Sequence, residues 1–216
     1  MKNFAALLLA VVITAPASAQ VSLFQRDPDI GRIYLGLGSG VVDFNNPKFS
    51  SVSWSRFDSQ DTAYKILAGY QFNRLYALEI AYHHLGATNS AGLFTASDGE
   101  AFNYTASRHK GSAITTSFRY SPLPGGTLSP FIKLGLSQIT NEHDLSGFRL
   151  SGPFSQSAKK TETQPYYSIG ALLQLSEDLS LALEYEGFGK VGGNAINAAP
   201  ASIQPKGLSA TVLRRF

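Results

Sequence analysis

The sequence predicts an all-β protein, a transmembrane barrel of eight antiparallel strands in up-and-down order. Three observations carry that expectation. Runs of about ten residues alternate apolar with small or polar side chains, the period of a strand with one face in lipid. Short and long connections alternate between the runs, as they do when hairpins cross a bilayer. Beyond a leader-like opening, no apolar stretch approaches the roughly twenty residues that a membrane-spanning helix requires.

The opening segment has Lys2 as its positive residue, an apolar stretch from Phe4 to Ile13, and Ala17-Ser18-Ala19 as a small-residue cleavage site. Residues 1–19 are therefore expected to be a secretory signal peptide, residues 20–31 a periplasmic N-terminal segment and residues 32–216 the barrel domain. Gln20 follows the cleavage site, so a lipid anchor on an N-terminal cysteine is excluded. The chain has no cysteine, which removes disulfides, thiolate metal sites and Cys nucleophiles. A net charge of +3 that includes Lys2, without a clustered basic stripe, argues against nucleic acid as a partner.

The hairpin from Ala63 to Gly86 shows the pattern most clearly. Tyr64, Ile66, Ala68, Tyr70 and Phe72 fall on one face of the first run, and Tyr76, Leu78, Ile80 and Tyr82 on one face of the second, around Asn73-Arg74-Leu75. Similar runs lie at Arg32 to Val42, Gly111 to Ser121, Ser129 to Gln138, Tyr166 to Leu175, Leu179 to Phe188 and Gly207 to Phe216. The connections at 43–61, 87–109, 139–165 and 189–206 are long and rich in Asn, Ser, Gly, Asp and Pro, whereas 73–75, 122–128 and 176–178 are short. Short turns belong to the periplasmic side, so both chain ends are expected there and four solvated loops outside. Closure follows from hydrogen bonding, because an unpaired strand edge in hydrocarbon costs several kcal/mol per backbone group.

Parity assigns Ile33, Leu35, Leu37, Val41, Ile114, Phe118, Ile132, Leu134, Leu136, Ile169, Leu183 and their counterparts to an outward apolar belt. Tyr70, Phe72, Tyr76 and Tyr120 then make a periplasmic aromatic girdle, with Tyr64, Tyr82 and Tyr185 near the outer rim. A lipocalin-like secreted barrel with an apolar lumen is the soluble alternative. It would put Lys65, Glu79, Lys133 and Glu184 outside and crowd Tyr and Leu within, and it leaves the loop asymmetry unexplained.

The strand motifs Lys65-Ile66-Leu67-Ala68-Gly69-Tyr70-Gln71-Phe72, Leu78-Glu79-Ile80-Ala81-Tyr82, Ser129-Pro130-Phe131-Ile132-Lys133-Leu134-Gly135-Leu136 and Leu183-Glu184-Tyr185 resemble those of the outer membrane protein A superfamily of eight-stranded barrels. The resemblance implies residence in the bacterial outer membrane, among its lipids and lipopolysaccharide, and interior carboxylates held against Lys or Arg. Members often carry a peptidoglycan-binding domain after the barrel; with the sequence ending at Phe216, that tether is expected to be absent. A last strand ending in Phe216 resembles the signal read by the barrel-assembly machinery, although Arg214 stands where that signal usually has an apolar residue.

Glu79, Lys133 and Glu184 share inward parity and lie at similar heights above the short turns, so they are expected to form one interior layer. Arg119 and Arg215 are inward cations nearer the periplasm, and Lys65 is one nearer the outside. An eight-stranded barrel is only wide enough to fill with side chains. The layer therefore reads as a plug, with an electrostatic gate for slow ion leakage as the functional alternative.

Catalytic chemistry finds little support. His83 and His84 point to opposite faces at the outer strand end, and His143 with Ser146 in the third long loop lacks a nucleophile–base spacing. A polar rim is the expected role of the two adjacent histidines. The glycines of Gly36-Leu37-Gly38-Ser39-Gly40, like those of Gly189-Lys190-Val191-Gly192-Gly193, do not match a phosphate-binding motif. No enzyme activity, cofactor or metal is expected. The chain is read as a structural or adhesion-like surface protein that meets host or surface ligands through its loops, with a weak pore as the second reading and a lipid A-modifying enzyme as the third.

Overall fold

The computed structural model describes residues 31–44, 52–95, 101–124, 126–149, 152–191 and 203–216. The expected signal peptide, and all but the last residue of the expected N-terminal segment, lie outside the described residues.

Among the described residues there are nine strand segments: β1 (Arg32–Asp43), β2 (Val52–Asp58), β3 (Gln60–Gln71), β4 (Tyr76–Thr95), β5 (Ala101–Tyr120), β6 (Leu128–Arg149), β7 (Gly152–Gln174), β8 (Leu179–Gly187) and β9 (Lys206–Arg215). They pair antiparallel in the order β4-β3-β1-β9-β8-β7-β6-β5, and β5 returns to β4 to close the barrel. β2 is the outer continuation of β3, interrupted at Ser59, and pairs with the upper part of β4. The barrel thus has eight staves.

Alternation along each stave puts one face in lipid. Ile33, Leu35 and Leu37 on β1, Ile66 on β3, Leu78 and Ile80 on β4, Ile132, Leu134 and Leu136 on β6, Ile169 on β7 and Leu183 on β8 are all exposed, while their sequence neighbours are buried or half-buried. At the short-turn end Tyr76 packs against Phe118 and stacks on Tyr120, and Tyr70 meets Phe72 edge-on. Asn73 Oδ1 accepts hydrogen bonds from the Leu75 and Tyr76 amides at 2.8 and 2.9 Å, which reverses the chain in the turn between β3 and β4.

Two expected loops differ in extent. Much of 87–109 and 139–165 continues as paired strand, so β4 to β7 rise well beyond the apolar belt. Outside lipid neither face needs to be apolar, so the ladder persists after its sequence period has gone. A bulge at Leu85 adds one residue to β4, taking the register from His84 opposite Ser112 to Gly86 opposite Gly111. Gly86 adopts φ +85°, and a Cβ there would collide with Asp61, whose Oδ2 accepts the Ala87 amide at 2.6 Å.

The interior holds two apolar clusters. Tyr34, Leu67, Ala77, Ala81, Phe131, Leu172, Ala182 and Leu213 form one. Val42, Phe44, Leu85, Ile139, Tyr166, Phe188, Val191 and Ile203, with Ala63 and Ala113, form the other toward the loops. An isolated antiparallel bridge joins Val191 to Ile203, both buried at that end.

Candidate functional site: the charged interior and the outer mouth

Charged side chains occupy the lumen alongside these clusters because inward parity on β3, β4, β5, β6 and β8 delivers them there. Lys133 Nζ lies 2.6 Å from Glu79 Oε2 and 2.8 Å from Glu184 Oε2. Lys65 Nζ lies 2.8 Å from Glu184 Oε1 and 3.2 Å from Glu186 Oε1. Arg119 Nη1 stands 3.4 Å from Glu79 Oε1, and its Nη2 donates to Gln71 Oε1 at 3.5 Å. Three acids and three bases thus alternate in one chain of contacts from Arg119 on β5 through Lys65 on β3 to Glu186 on β8, all of them buried.

Neutral donors complete the carboxylates. Tyr34 Oη donates to Glu79 Oε1 at 2.5 Å, Ser168 Oγ to Glu184 Oε2 at 3.0 Å, Tyr166 Oη to Glu186 Oε1 at 2.7 Å and Ser209 Oγ to Glu186 Oε2 at 2.8 Å. Arg119 also stacks over the Tyr34 ring at 5.1 Å. With charge balanced and lone pairs occupied, the cluster has the conditions under which buried ions are tolerated.

Of the residues singled out from sequence, Lys65, Glu79, Arg119, Lys133 and Glu184 meet in this chain of contacts. Arg215 stands apart: it donates to Gln174 Oε1 at 3.0 Å and to the Glu177 carbonyl at 3.5 Å, at the turn between β7 and β8. Phe216 is exposed at the same end, with Arg214 5.7 Å from its ring. Glu186 and Tyr34 were not singled out. Glu186 shares the inward parity of Glu184 two residues on, a signal that was available; Tyr34 looks like a core aromatic until register places it opposite Gly69 of β3, with Glu79 of β4 beyond.

His83 is a correction to the expected polar rim. Its ring is buried in the lumen, edge-on to Phe188 at 4.9 Å, with Nε2 3.0 Å from Thr115 Oγ1. His84 faces outward as expected. His143 and Ser146 lie on opposite faces of β6, with Ser146 exposed, so they do not form a nucleophile–base pair.

Above the belt, β5 and β6 bring two histidines together. His109 and His143 are register partners, and their rings stack at 4.0 Å between centroids with 8° between planes. His109 is buried and His143 half-buried. On the other face of β6, Lys159 of β7 donates to Glu142 at 2.9 Å and Ser157 of β7 to Asp144 at 2.7 Å.

The model of a family described as the outer membrane protein beta-barrel domain matches residues 5–216. Among solved structures, neisserial surface protein A is similar with a TM-score of 0.51 and 18% identity, over 85% of this chain and 97% of that one. Outer membrane protein OprG from Pseudomonas aeruginosa is similar with a TM-score of 0.50 and 14% identity, over 87% of this chain and 97% of that one. No curated protein matches. Identities this low establish a shared fold.

Proposed function

From the premise that the chain belongs to the outer membrane protein beta-barrel domain family and lies in the bacterial outer membrane, we propose that it is a non-enzymatic surface protein whose activity resides in its extracellular β-structure and loops. The observation that carries this reading is the filled lumen: a balanced ion-pair cluster lies beside apolar packing that includes Phe44, Leu85, Phe188 and Ile203. With the interior occupied, β4 to β7 extended beyond lipid are what the molecule offers to partners. Host or other cell-surface molecules are the partner class, with outer-membrane lipids, lipopolysaccharide among them, around the belt. On this reading residues 1–19 are removed on export, residues 20–31 stay in the periplasm, residues 32–216 are the barrel, and Phe216 presents the strand end read by the assembly machinery.

The test is adhesion of intact bacteria to epithelial monolayers. Cells expressing a variant with 87–109 and 139–165 shortened to tight turns should lose adhesion while the barrel keeps its heat-modifiable gel migration. Equal adhesion by both forms would overturn the proposal.

A small conductance gated by the cluster is the second reading. It is favoured by the way Lys133 and Lys65 each bridge two carboxylates, since such contacts can exchange without leaving a charge alone. Planar-bilayer recordings of Glu79→Ala and Glu184→Ala decide it, and unchanged conductance in both removes it.

A further inference from the structure

Arg214 lies at the opposite end of the barrel from the loops, on the lipid face of β9. We propose that it holds the phosphate of one anionic glycerophospholipid of the periplasmic leaflet, with an acyl chain in the apolar groove that runs up β9 from it. The site rests on the membrane location and on short turns facing the periplasm, and is independent of what the loops bind.

Register fixes the arginine in place. Arg214 is exposed and stands level with Leu35 on β1 and Leu179 on β8. The two amides that follow it anchor the strand end: that of Arg215 donates to the Asp178 carbonyl at 2.8 Å and that of Phe216 to the Ile33 carbonyl at 2.9 Å. Two neighbouring cations are engaged, since Arg32 pairs with Asp178 at 3.3 Å and Arg215 turns to Gln174. Among the described residues no carboxylate pairs with Arg214, whose guanidinium lies 5.7 Å from the exposed Phe216 ring. A guanidinium at the margin of hydrocarbon with no acid beside it is matched by a phosphate, which its fork of N–H donors binds through two parallel bonds. Because no acid of the chain offsets the charge, an anionic lipid is favoured over a zwitterionic one.

The wall above Arg214 is shaped for an acyl chain. Val212 lies between Leu37 and Leu181, and Ala210 between Ser39 and Leu183. Val212 and Ala210 are half-buried, whereas Leu37 and Leu183 are 66% and 55% exposed, so the leucines stand as the sides of a trough whose floor is β9. Exposed Leu208, between Val41 and Tyr185, closes its upper end. From Arg214 to Leu208 the strand covers about 20 Å at about 3.3 Å per residue. Tilted by about 35–45°, that length spans about 15 Å of depth, half of a hydrocarbon core of about 30 Å. The trough therefore takes the chain of one leaflet, with its headgroup at the arginine.

The experiment uses the full chain folded in detergent micelles. Native mass spectrometry with dioleoyl phosphatidylglycerol should show one lipid retained per chain, in preference to dioleoyl phosphatidylcholine. Arg214→Gln should weaken retention about fivefold, the worth of one cation at an anionic surface. Ala210→Phe fills the trough and keeps the arginine, and should weaken retention by a similar factor, whereas Leu134→Phe on another part of the wall should retain lipid as wild type does. Equal retention by wild type and Arg214→Gln, undiminished retention by Ala210→Phe, no preference for phosphatidylglycerol, or a chain dimer in place of the lipid-bound monomer would each overturn the site. Should the variants not fold, as judged by heat-modifiable migration, wild type in vesicles decides. Phosphatidylglycerol carrying a diazirine in its acyl chain should label Leu37 and Val212 above Ile132 and Leu134. Even labelling around the belt overturns the site and leaves the barrel in its membrane, whereas label on no belt residue overturns the membrane location with it.

Discussion

Lys65 Nζ stands 2.8 Å from Glu184 Oε1, tying β3 to β8 across the barrel interior. The two strands are separated in the wall by β1 and β9, so no backbone ladder connects them directly. Lys65 also reaches Glu186 at 3.2 Å, and removing its ammonium leaves that carboxylate without its closest ion pair. Lys65→Met is expected to destabilise the folded barrel by about 3–5 kcal/mol, the usual cost of breaking one side of a buried pair. Urea unfolding from lipid vesicles measures it. Adding Glu186→Gln to Lys65→Met should recover part of the loss, and equal midpoints for the single and double variants would contradict the pairing.

Gly69 is where the interior leaves no room. A Cβ on Gly69 would overlap the Tyr34 ring, which lies against that strand and donates to Glu79. Gly69→Ala should evict the ring and lose the hydrogen bond, costing about 1–3 kcal/mol. Tyr34→Phe should lose only the bond and cost less. If the two substitutions act through the same contact, combining Gly69→Ala with Tyr34→Ala should cost less than the sum of the two alone.

The lipid belt predicts a positional gradient. Leu134 is 63% exposed in mid-strand, and Leu123 is 67% exposed in the short turn between β5 and β6. Nearly equal exposure hides different solvents. Leu134→Arg should destabilise by about 2–4 kcal/mol in vesicles, whereas Leu123→Arg near the interface should cost about 0–1 kcal/mol. Similar losses for both would place the belt wrongly.

Acid should loosen the outer part of β6 and β7. A hydrogen bond from Lys159 together with its charge holds the Glu142 carboxyl below the ordinary carboxylate range, and a hydrogen bond from Ser157 does the same for Asp144. A carboxylate depressed on folding contributes stability that is fully present above its unfolded value and is lost as pH falls through the folded one. The protection factors of amides from 139 to 162, corrected for the pH dependence of intrinsic exchange, should therefore fall below the ordinary carboxylate range and stay constant above it. Glu142→Gln should remove part of that dependence.

Legibility in the sequence followed the solvent. Where staves cross lipid, one face must be apolar and the other polar or small, so parity assigned Ile66, Leu134 and Leu183 outward and Glu79, Lys133 and Glu184 inward before any pairing was known. Beyond the belt neither face needs to be apolar, the period disappears, and the outer halves of β4 to β7 read as loops although their ladders continue. The bulge at Leu85 compounds this by shifting β4 one residue against β5, which brings Thr88 opposite His109.

The sequence by itself determined the strand period, the closed eight-stave barrel, its place in a membrane and the inward direction of most interior charges, because each follows from local alternation and from the requirement that no backbone edge meet hydrocarbon. Only the tertiary structure decided who meets whom. Register and stave order are set by contacts between residues far apart in the chain, and they put Tyr34 on Glu79, Glu186 beside Lys65, His83 against Phe188, and His109 face to face with His143. Parity says which way a side chain points, whereas its partner depends on the height at which two staves are locked together.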